Sequence, residues 1–553
     1  MRIGFLKPAD VSLAPFRVRW QAQRDTALDS GFVTESKTIQ SVVAATLCRR
    51  TPKSAIAALL ISLLLANATP AVDAPVKLEV NWQKVTRVSR TTPTLQVVVN
   101  PLLRRGSPIH DSAFQSLREL KADYVRFVPW YPYPRLAIAE MESPRDGRTS
   151  WDFSLIDPLV IDFLEATKSA KAAEHHPVVL NFSTIPQWMF RTSYTFNFPK
   201  DPDEAVWTYV DGTELRDPTM KELGDYYARL VGWYTNGGFR DEYGKSHVSN
   251  HHYQIDYWEV FNEPEFEHKM TPEQYTARYD AIVKAIRKVA PRMKFVGISL
   301  AYPAKQPRFF EYFLNRKNHQ PGIPLDMISY HFYAQPPPDL TPEMQPPIFF
   351  EQADRFLDTV RFIEAIRKRL SPNTRTTINE VGSILPDDIH QEIPGMTYRT
   401  EAYWNLSGAM FAYLYAQLAR MGIDVIGESQ LVGYPSQFPS VTMINWETGQ
   451  PNARYWTLKL LIDNFGPGDT LVETDSKTPF IHAQAFVTRD GQRKLLLINK
   501  RDRAFDLEIA SAAGGSLAVV DQSNSMRPVI SKKLVTDNVR MESLAVGVVT
   551  LPR

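Results

Sequence analysis

Two Asn-Glu dipeptides carry the chemistry this chain can do, and the sequence holds no third. Asn262-Glu263 closes the run Asp256-Tyr-Trp-Glu-Val-Phe-Asn-Glu-Pro264, and Asn379-Glu380 closes Thr376-Thr-Ile-Asn-Glu-Val-Gly382. Each glutamate follows a short apolar or β-branched run and stands just before Pro264 or Gly382, residues that interrupt regular structure. Carboxyls at the ends of two different strands can divide the work of opening an acetal. One protonates the poor leaving oxygen while the other, ionised, meets the oxocarbenium-like carbon. That division requires surroundings that push the two pKa values apart. Glu263 is assigned as general acid/base and Glu380 as nucleophile. Asn262, beside the acid, is placed to bond the sugar hydroxyl next to the reacting carbon. The ordinary fate of a glutamate is a solvated surface ion pair; two of them closing strands is the unusual conjunction.

Further strand ends supply candidate substrate-binding groups. Arg126 lies within Tyr124-Val-Arg-Phe-Val128, where an inward charge needs a partner, and its guanidinium could keep Glu380 ionised. Ile328-Ser-Tyr-His-Phe-Tyr333 offers His331 to a sugar hydroxyl and Tyr333 to orient the nucleophile. Trp188, ending Ser183-Thr-Ile-Pro-Gln-Trp188, is a candidate stacking platform, and Glu428 closes a further strand. A structural ion pair or a packed core residue is the competing reading for each. His175-His176 and His251-His252 are adjacent pairs whose side chains diverge, so no metal site and no cofactor is expected. No Gly-x-Ser-x-Gly elbow supports serine chemistry.

These residues need a scaffold that brings strand ends together. Eight strand-like runs can be placed between residues 92 and 470: Leu95–Val99, Tyr124–Val128, Val178–Phe182, Tyr257–Phe261, Phe295–Leu300, Met327–Phe332, Thr376–Ile378 and Val425–Gly427. Helical stretches alternate with them, such as Thr271–Val289, with Thr271 as N-cap and Pro272 at the first helical position, and Glu351–Leu370. Eight strand–helix units predict a (β/α)8 TIM barrel over 92–470, whose active site forms at the carboxyl ends of the strands. Glu263 and Glu380 then follow the fourth and seventh strands. No Gly-x-Gly-x-x-Gly follows the first strand, which argues against a nucleotide-binding open sheet. The long stretch from Ser183 to Gln254, rich in aromatics, Asp and Pro before a helix at Met220–Tyr234, reads as the rim of a cleft.

The two ends differ in character. Residues 473–553 show short strands and turn signals such as Asp490-Gly491 and Gly514-Gly515, predicting a small C-terminal β-sandwich. Val76, Leu78, Val80 and Trp82 alternate with polar residues, so 75–91 is expected to add a strand to it. Residues 1–74 form a leader. Arg49, Arg50 and Lys53 precede an apolar run, Ala55–Ala66, and the small residues near Ala68, the layout of a signal peptide at about 49–68. The apolar run is short of the roughly 20 residues a membrane span needs, so a secreted or periplasmic protein without stable membrane insertion is expected.

Charge excludes one class of partner. Nine of the 63 Lys/Arg and five of the 61 Asp/Glu lie in 1–74, which leaves 54 basic against 56 acidic residues in the remainder. No basic excess is left to neutralise phosphates, so nucleic acid is not an expected partner. The one cysteine, Cys48, also lies in the leader, and the rest of the chain can form no disulfide.

In Trp258-Glu-Val-Phe-Asn-Glu-Pro264, Ser329-Tyr-His-Phe-Tyr333 and Ile378-Asn-Glu-Val-Gly382 the chain resembles the clan-A retaining glycoside hydrolases, most closely family 39, which includes β-xylosidases and α-L-iduronidases. The resemblance covers most of residues 75–553 and implies a carbohydrate substrate, retention of anomeric configuration, and carboxyl groups about 5–5.5 Å apart. It carries the acid/base role to Glu263 and the nucleophile to Glu380. Phe261 stands where relatives often have Trp, and Gly427-Glu-Ser-Gln430 lacks the Trp many place after strand eight. Two other readings remain open on sequence: a family-5-like endoglucanase, which would cut inside polymers, and a carbohydrate-binding barrel without turnover.

Overall fold

The computed structural model describes residues 74–169, 175–209, 212–389, 399–434 and 438–553. The expected signal peptide and Cys48 lie outside them. The predicted barrel is present. Strands β1 (Thr92–Val98), β2 (Val125–Val128), β3 (Val178–Leu180), β4 (Tyr257–Glu259), β5 (Lys294–Leu300), β6 (Met327–Ala334), β7 (Arg375–Ser383) and β8 (Val425–Glu428) close on themselves. Every neighbouring pair is parallel, and β8 meets β1 through Val425↔Thr92 and Glu428↔Leu95.

Period-2 alternation fixes what each strand shows to the barrel axis. Val179, Tyr257, Val296, Met327 and Val425, from five different strands, make a small apolar cluster of their own at the amino-terminal end of the barrel. Their sequence neighbours Leu180, Trp258, Phe295, Ile328 and Ile426 belong instead to the large core that includes the helices. Two residues further along the inward face come Asn181, Glu259 and Ser329, all fully buried and all polar. The barrel thus changes from apolar to polar in one step toward its carboxyl end.

The helices follow their end signals. Pro272–Val289 starts at a full capping box, with Thr271 and Gln274 each accepting from the other's backbone N–H. The helix expected at Glu351 begins earlier, at Gln345, because Pro346 and Pro347 occupy its first turn, where a missing N–H costs nothing. Among the described residues, no helix is long and apolar enough to cross a membrane.

A nine-stranded β-unit is separate from the barrel. Val76–Val88 lies inside it, antiparallel to Thr470–Asp475 and, over Val76–Leu78, parallel to Phe505–Ile509. Alternation works on both sides of this sheet. Leu495, Leu497 and Val549 enter the unit's own core, whereas Leu496, Ile498 and Val548 join the large core of the barrel.

Candidate active site

Arg126 organises the carboxyl end of the barrel. It is 1% exposed on β2, and all five of its N–H donors are used. Nε donates to Glu259, Nη1 to Gln96 Oε1 at 2.7 Å and Glu380 Oε1 at 2.5 Å, and Nη2 to Asn262 Oδ1 at 2.6 Å and Ser299 Oγ at 3.2 Å. A buried guanidinium is tolerated because two carboxylates face it. Glu259 is itself enclosed: Asn181 Nδ2, Ser329 Oγ and Asn379 Nδ2 donate to it at 2.6, 2.5 and 2.8 Å.

Glu380 and Glu263 share a wall. Tyr333 donates to Glu380 Oε2 at 2.6 Å, and Ser429 Oγ lies 2.8 Å from the same phenol. Gln96 Nε2 reaches Ser429 Oγ at 2.6 Å and so closes the ring back to Arg126. His331 Nδ1 lies 2.8 Å from Glu263 Oε1 and 3.5 Å from Glu380 Oε2, with Ser299 Oγ 3.1 Å from its Nε2. Donor atoms of Glu263, His331 and Glu380 all fall within 4.8 Å of one another. Glu263 stands on a strained turn. Phe261, Glu263, Ile298 and Ser299 all take the positive φ that side chains with a Cβ rarely adopt, and the Glu263 N–H donates to the Ser299 carbonyl at 2.9 Å.

The surroundings push the two carboxyls apart. Burial, helped by the charge of Glu380, lifts Glu263 above the ordinary carboxylate range against the pull of His331. Burial would lift Glu380 too. There the charges of His331 and Arg126, with hydrogen bonds from Tyr333 and Arg126, outweigh it and hold the group low. Burial lowers the His331 imidazole, but the two carboxylates more than restore it, so its pKa is raised. Glu265 is lifted to about 7 by burial and the nearby Glu263 charge.

The same triad of Glu263, His331 and Glu380 is the one group among the described residues with donors close enough to hold a metal ion. Glu380 already accepts from Arg126 and Tyr333, so a cation there would have to approach beside a guanidinium. That donor set suits proton handling better than metal binding.

Six of the predicted site residues meet here: Glu263, Glu380, Asn262, Arg126, His331 and Tyr333. His331 is engaged by Glu263 and Ser299 rather than turned toward a sugar hydroxyl. Trp188 and Glu428 do not join them. Trp188 donates to the Glu140 carbonyl at 2.8 Å and the Arg216 guanidinium stacks 4.5 Å from its ring centre, so it is a packed loop aromatic rather than an open platform. Glu428 faces the helices, as Ile426 does, and pairs with Arg454 at 3.0 Å with no exposure.

Sequence reading missed Gln96, Asn181, Glu259, Ser299 and Ser429; the signal available for Glu259 was a charged residue two places after Tyr257 in a short apolar run, on the inward face. It also missed the aromatic group beside the site. Trp130, just past β2, donates to Glu267 Oε1 at 2.7 Å, and Asn262 Nδ2 donates to the same oxygen at 2.9 Å. Trp207 packs edge-on against Trp130 and Tyr131 with ring centres 5.3 and 5.9 Å away, and Phe438 lies 5.7 Å from it.

The eight-stranded parallel barrel, together with a match to a family of glycosyl hydrolases, makes the chain a glycosidase. The model of the glycosyl hydrolases family 39 matches residues 230–376, which include Glu263, His331 and Tyr333 and stop four residues short of Glu380. No curated protein matches the chain. Among solved structures, it is similar to the GH51 arabinofuranosidase from Xanthomonas axonopodis pv. citri, with TM-score 0.58, 12% identity, and 86% of this chain and 99% of that one covered. A glucosidase from Croceicoccus marinus gives TM-score 0.54 at 15% identity, covering 87% and 99%. A GH30 endoxylanase from Clostridium papyrosolvens C71 gives 0.52 at 13%, covering 86% and 100%. At such identities these likenesses speak for the fold.

Proposed function

We propose that the protein is a retaining O-glycosidase working by double displacement. The observation that carries this reading is that carboxylate oxygens of Glu263 and Glu380 lie within 4.8 Å of each other. Retaining enzymes hold their carboxyls about 5–5.5 Å apart, whereas inverting ones need about 6.5–9.5 Å to admit a water. The Glu380 carboxylate attacks the anomeric carbon as the bond to the leaving oxygen breaks, and the Glu263 proton passes to that oxygen. Water then attacks the glycosyl ester, Glu263 takes its proton back, and Glu380 is released. Arg126 and Tyr333 keep Glu380 ionised between turnovers. His331 holds Glu263 in place across both steps. Asn262 is oriented at both ends, accepting from Arg126 and donating one amide hydrogen to Glu267, which leaves its second hydrogen for the sugar 2-hydroxyl.

Arabinosides, xylosides and glucosides are the first aryl glycosides to try, since the names of the structural neighbours concern those sugars. Proton NMR of the first-formed sugar tests the mechanism: the anomer of the substrate is expected, and the opposite anomer would overturn retention. Turnover that survives Glu380→Ala would overturn the assignment of the nucleophile. On the layout of residues 49–68 we also infer export from the cytoplasm, which N-terminal sequencing of the mature protein would check.

A further inference from the structure

A polar cavity that includes neither of the two glutamates is lined jointly by the barrel and the β-unit. It measures about 310 Å³ and is lined by Glu401, Gln450 and the segment Gln522–Arg527. That size sits at the lower end of small-molecule sites, about 300–1,000 Å³. Glu401 begins the helix Glu401–Met421 that follows β7, and Gln450 lies in the loop between β8 and the helix Ala453–Asn464. Both therefore stand on the carboxyl-end face of the barrel, the face that carries Glu263 and Glu380.

The wall from the β-unit is held in a fixed shape. Asp521 accepts from the Ser523 N–H and hydroxyl at 2.8 and 2.5 Å, and Asn524 spends its amide on the Asp521 N–H and the Val519 carbonyl at 2.9 and 2.7 Å. The groups left over are complementary to hydroxyls. Ser525 is 1% exposed, yet its Oγ has no hydrogen-bond partner among the described residues. The side chains of Glu401, Gln450 and Arg527 also have no ion pair or side-chain hydrogen bond among the described residues. One carboxylate and one guanidinium cancel in charge, while an amide and a hydroxyl each donate and accept. Such a lining fits an uncharged polyhydroxylated ring rather than an anion or a cation.

We propose that this cavity is a secondary carbohydrate site, which holds a neutral sugar unit of a polysaccharide while another part of the chain, or a neighbouring chain, reaches the catalytic face. The proposal rests on the glycosidase reading, and its test separates the two. Affinity electrophoresis of the whole chain in gels containing arabinoxylan or, as a charged control, polygalacturonate would be compared with turnover of a small aryl glycoside. The exposed pair Gln450→Ala/Arg527→Ala and, separately, Ser525→Ala are the variants; a hydroxyl without a partner can be removed at little cost to folding.

The expected result is retardation by arabinoxylan alone, weakened about tenfold in the double variant, the loss of two or three net hydrogen bonds. Turnover of the aryl glycoside is expected to stay unchanged in both variants. Equal retardation of wild type and variants, no retardation at all, or retardation by polygalacturonate alone would overturn the site. Retardation that depends on these residues without any aryl-glycoside turnover would support the site and count against the glycosidase reading.

Discussion

Arg126 and Arg454 are both fully buried guanidiniums that face a glutamate from a barrel strand, and they serve different ends. Arg126 points to the barrel axis and meets Glu259 and Glu380, the second of which keeps 9% of its side chain open. Arg454 sits in the first turn of a helix and meets Glu428 in a pair closed on both sides, its other donors going to the Val441 and Ser429 carbonyls. Register decides which pair reaches the barrel axis: β8 keeps its alternation and turns Glu428 outward, whereas a shift of register between Thr377 and Glu380 turns Glu380 toward Arg126. Glu428 shows the consequence, for burial pushes it to about 8, above its ordinary range, despite Arg454 beside it. Glu380 is held low because three partners act on it at once.

The comparison can be broken most sharply at Glu380. Glu380→Ala is expected to cut kcat on the order of 10^4-fold or more with the fold intact, read by turnover and circular dichroism, and added azide should restore part of the rate. Glu263→Ala is expected to cost about 10^2–10^4-fold, and less with aryl leaving groups that need no proton. Arg126→Met should cost about 3–5 kcal/mol in a denaturant titration, since it leaves Glu259 and Glu380 buried without their guanidinium. Arg454→Met should cost less, since Glu428, already lifted to about 8, can take a proton. They should part company in kinetics. Arg126→Met loses turnover and moves the acid limb upward, while Arg454→Met keeps kcat per folded molecule. An equal loss of kcat in both would end the distinction drawn between them.

The pH profile sharpens it further. The proposed mechanism requires ionised Glu380, so the rate is expected to fall as pH drops through a pKa held below the usual range. It also requires protonated Glu263, so the rate falls as pH rises through a pKa lifted above that range. The kcat/KM profile is expected to be bell-shaped, and Glu263→Gln should remove the alkaline limb. The smallest effect concerns stability. Glu140 is fully buried, neither of its carboxyl oxygens has a hydrogen-bond partner among the described residues, and burial with the Glu242 charge pushes it to about 8. Its folded pKa is raised, so its contribution is present at low pH and lost as pH rises through about 8. Melting temperature should decline between about pH 4.5 and 8 and level off above that, and Glu140→Gln should flatten the decline.

Much of this arrangement was legible along the chain. All eight barrel strands were placed within a few residues because short β-branched runs between amphipathic stretches are local signals. Thr271-Pro272 marked its helix for the same reason, since a cap is satisfied within one turn. The two glutamates stood out because each closes a strand-like run of sequence, although β4 ends at Glu259, four residues before Glu263, and β7 runs past Glu380 to Ser383. Glu428 was also at a strand end, and counting by twos from Val425 turns Gly427, not Glu428, toward the axis; the same count from Ile378 would exclude Glu380, which only the register shift after Thr377 turns inward.

The sequence alone determined the elements, their order, and the strand ends that carry acid side chains, since these depend on neighbours a few residues apart. The tertiary structure decided which of those side chains meet. Arg126 and Glu380 are 254 residues apart, and their contact exists only because the barrel closes. The same closure lays Gln96, Glu259, Ser299 and Ser429 around them and shifts the pKa values of two chemically identical carboxyls in opposite directions. A pKa is set by the full ring of charges and donors at a point in space, and no stretch of sequence contains that ring.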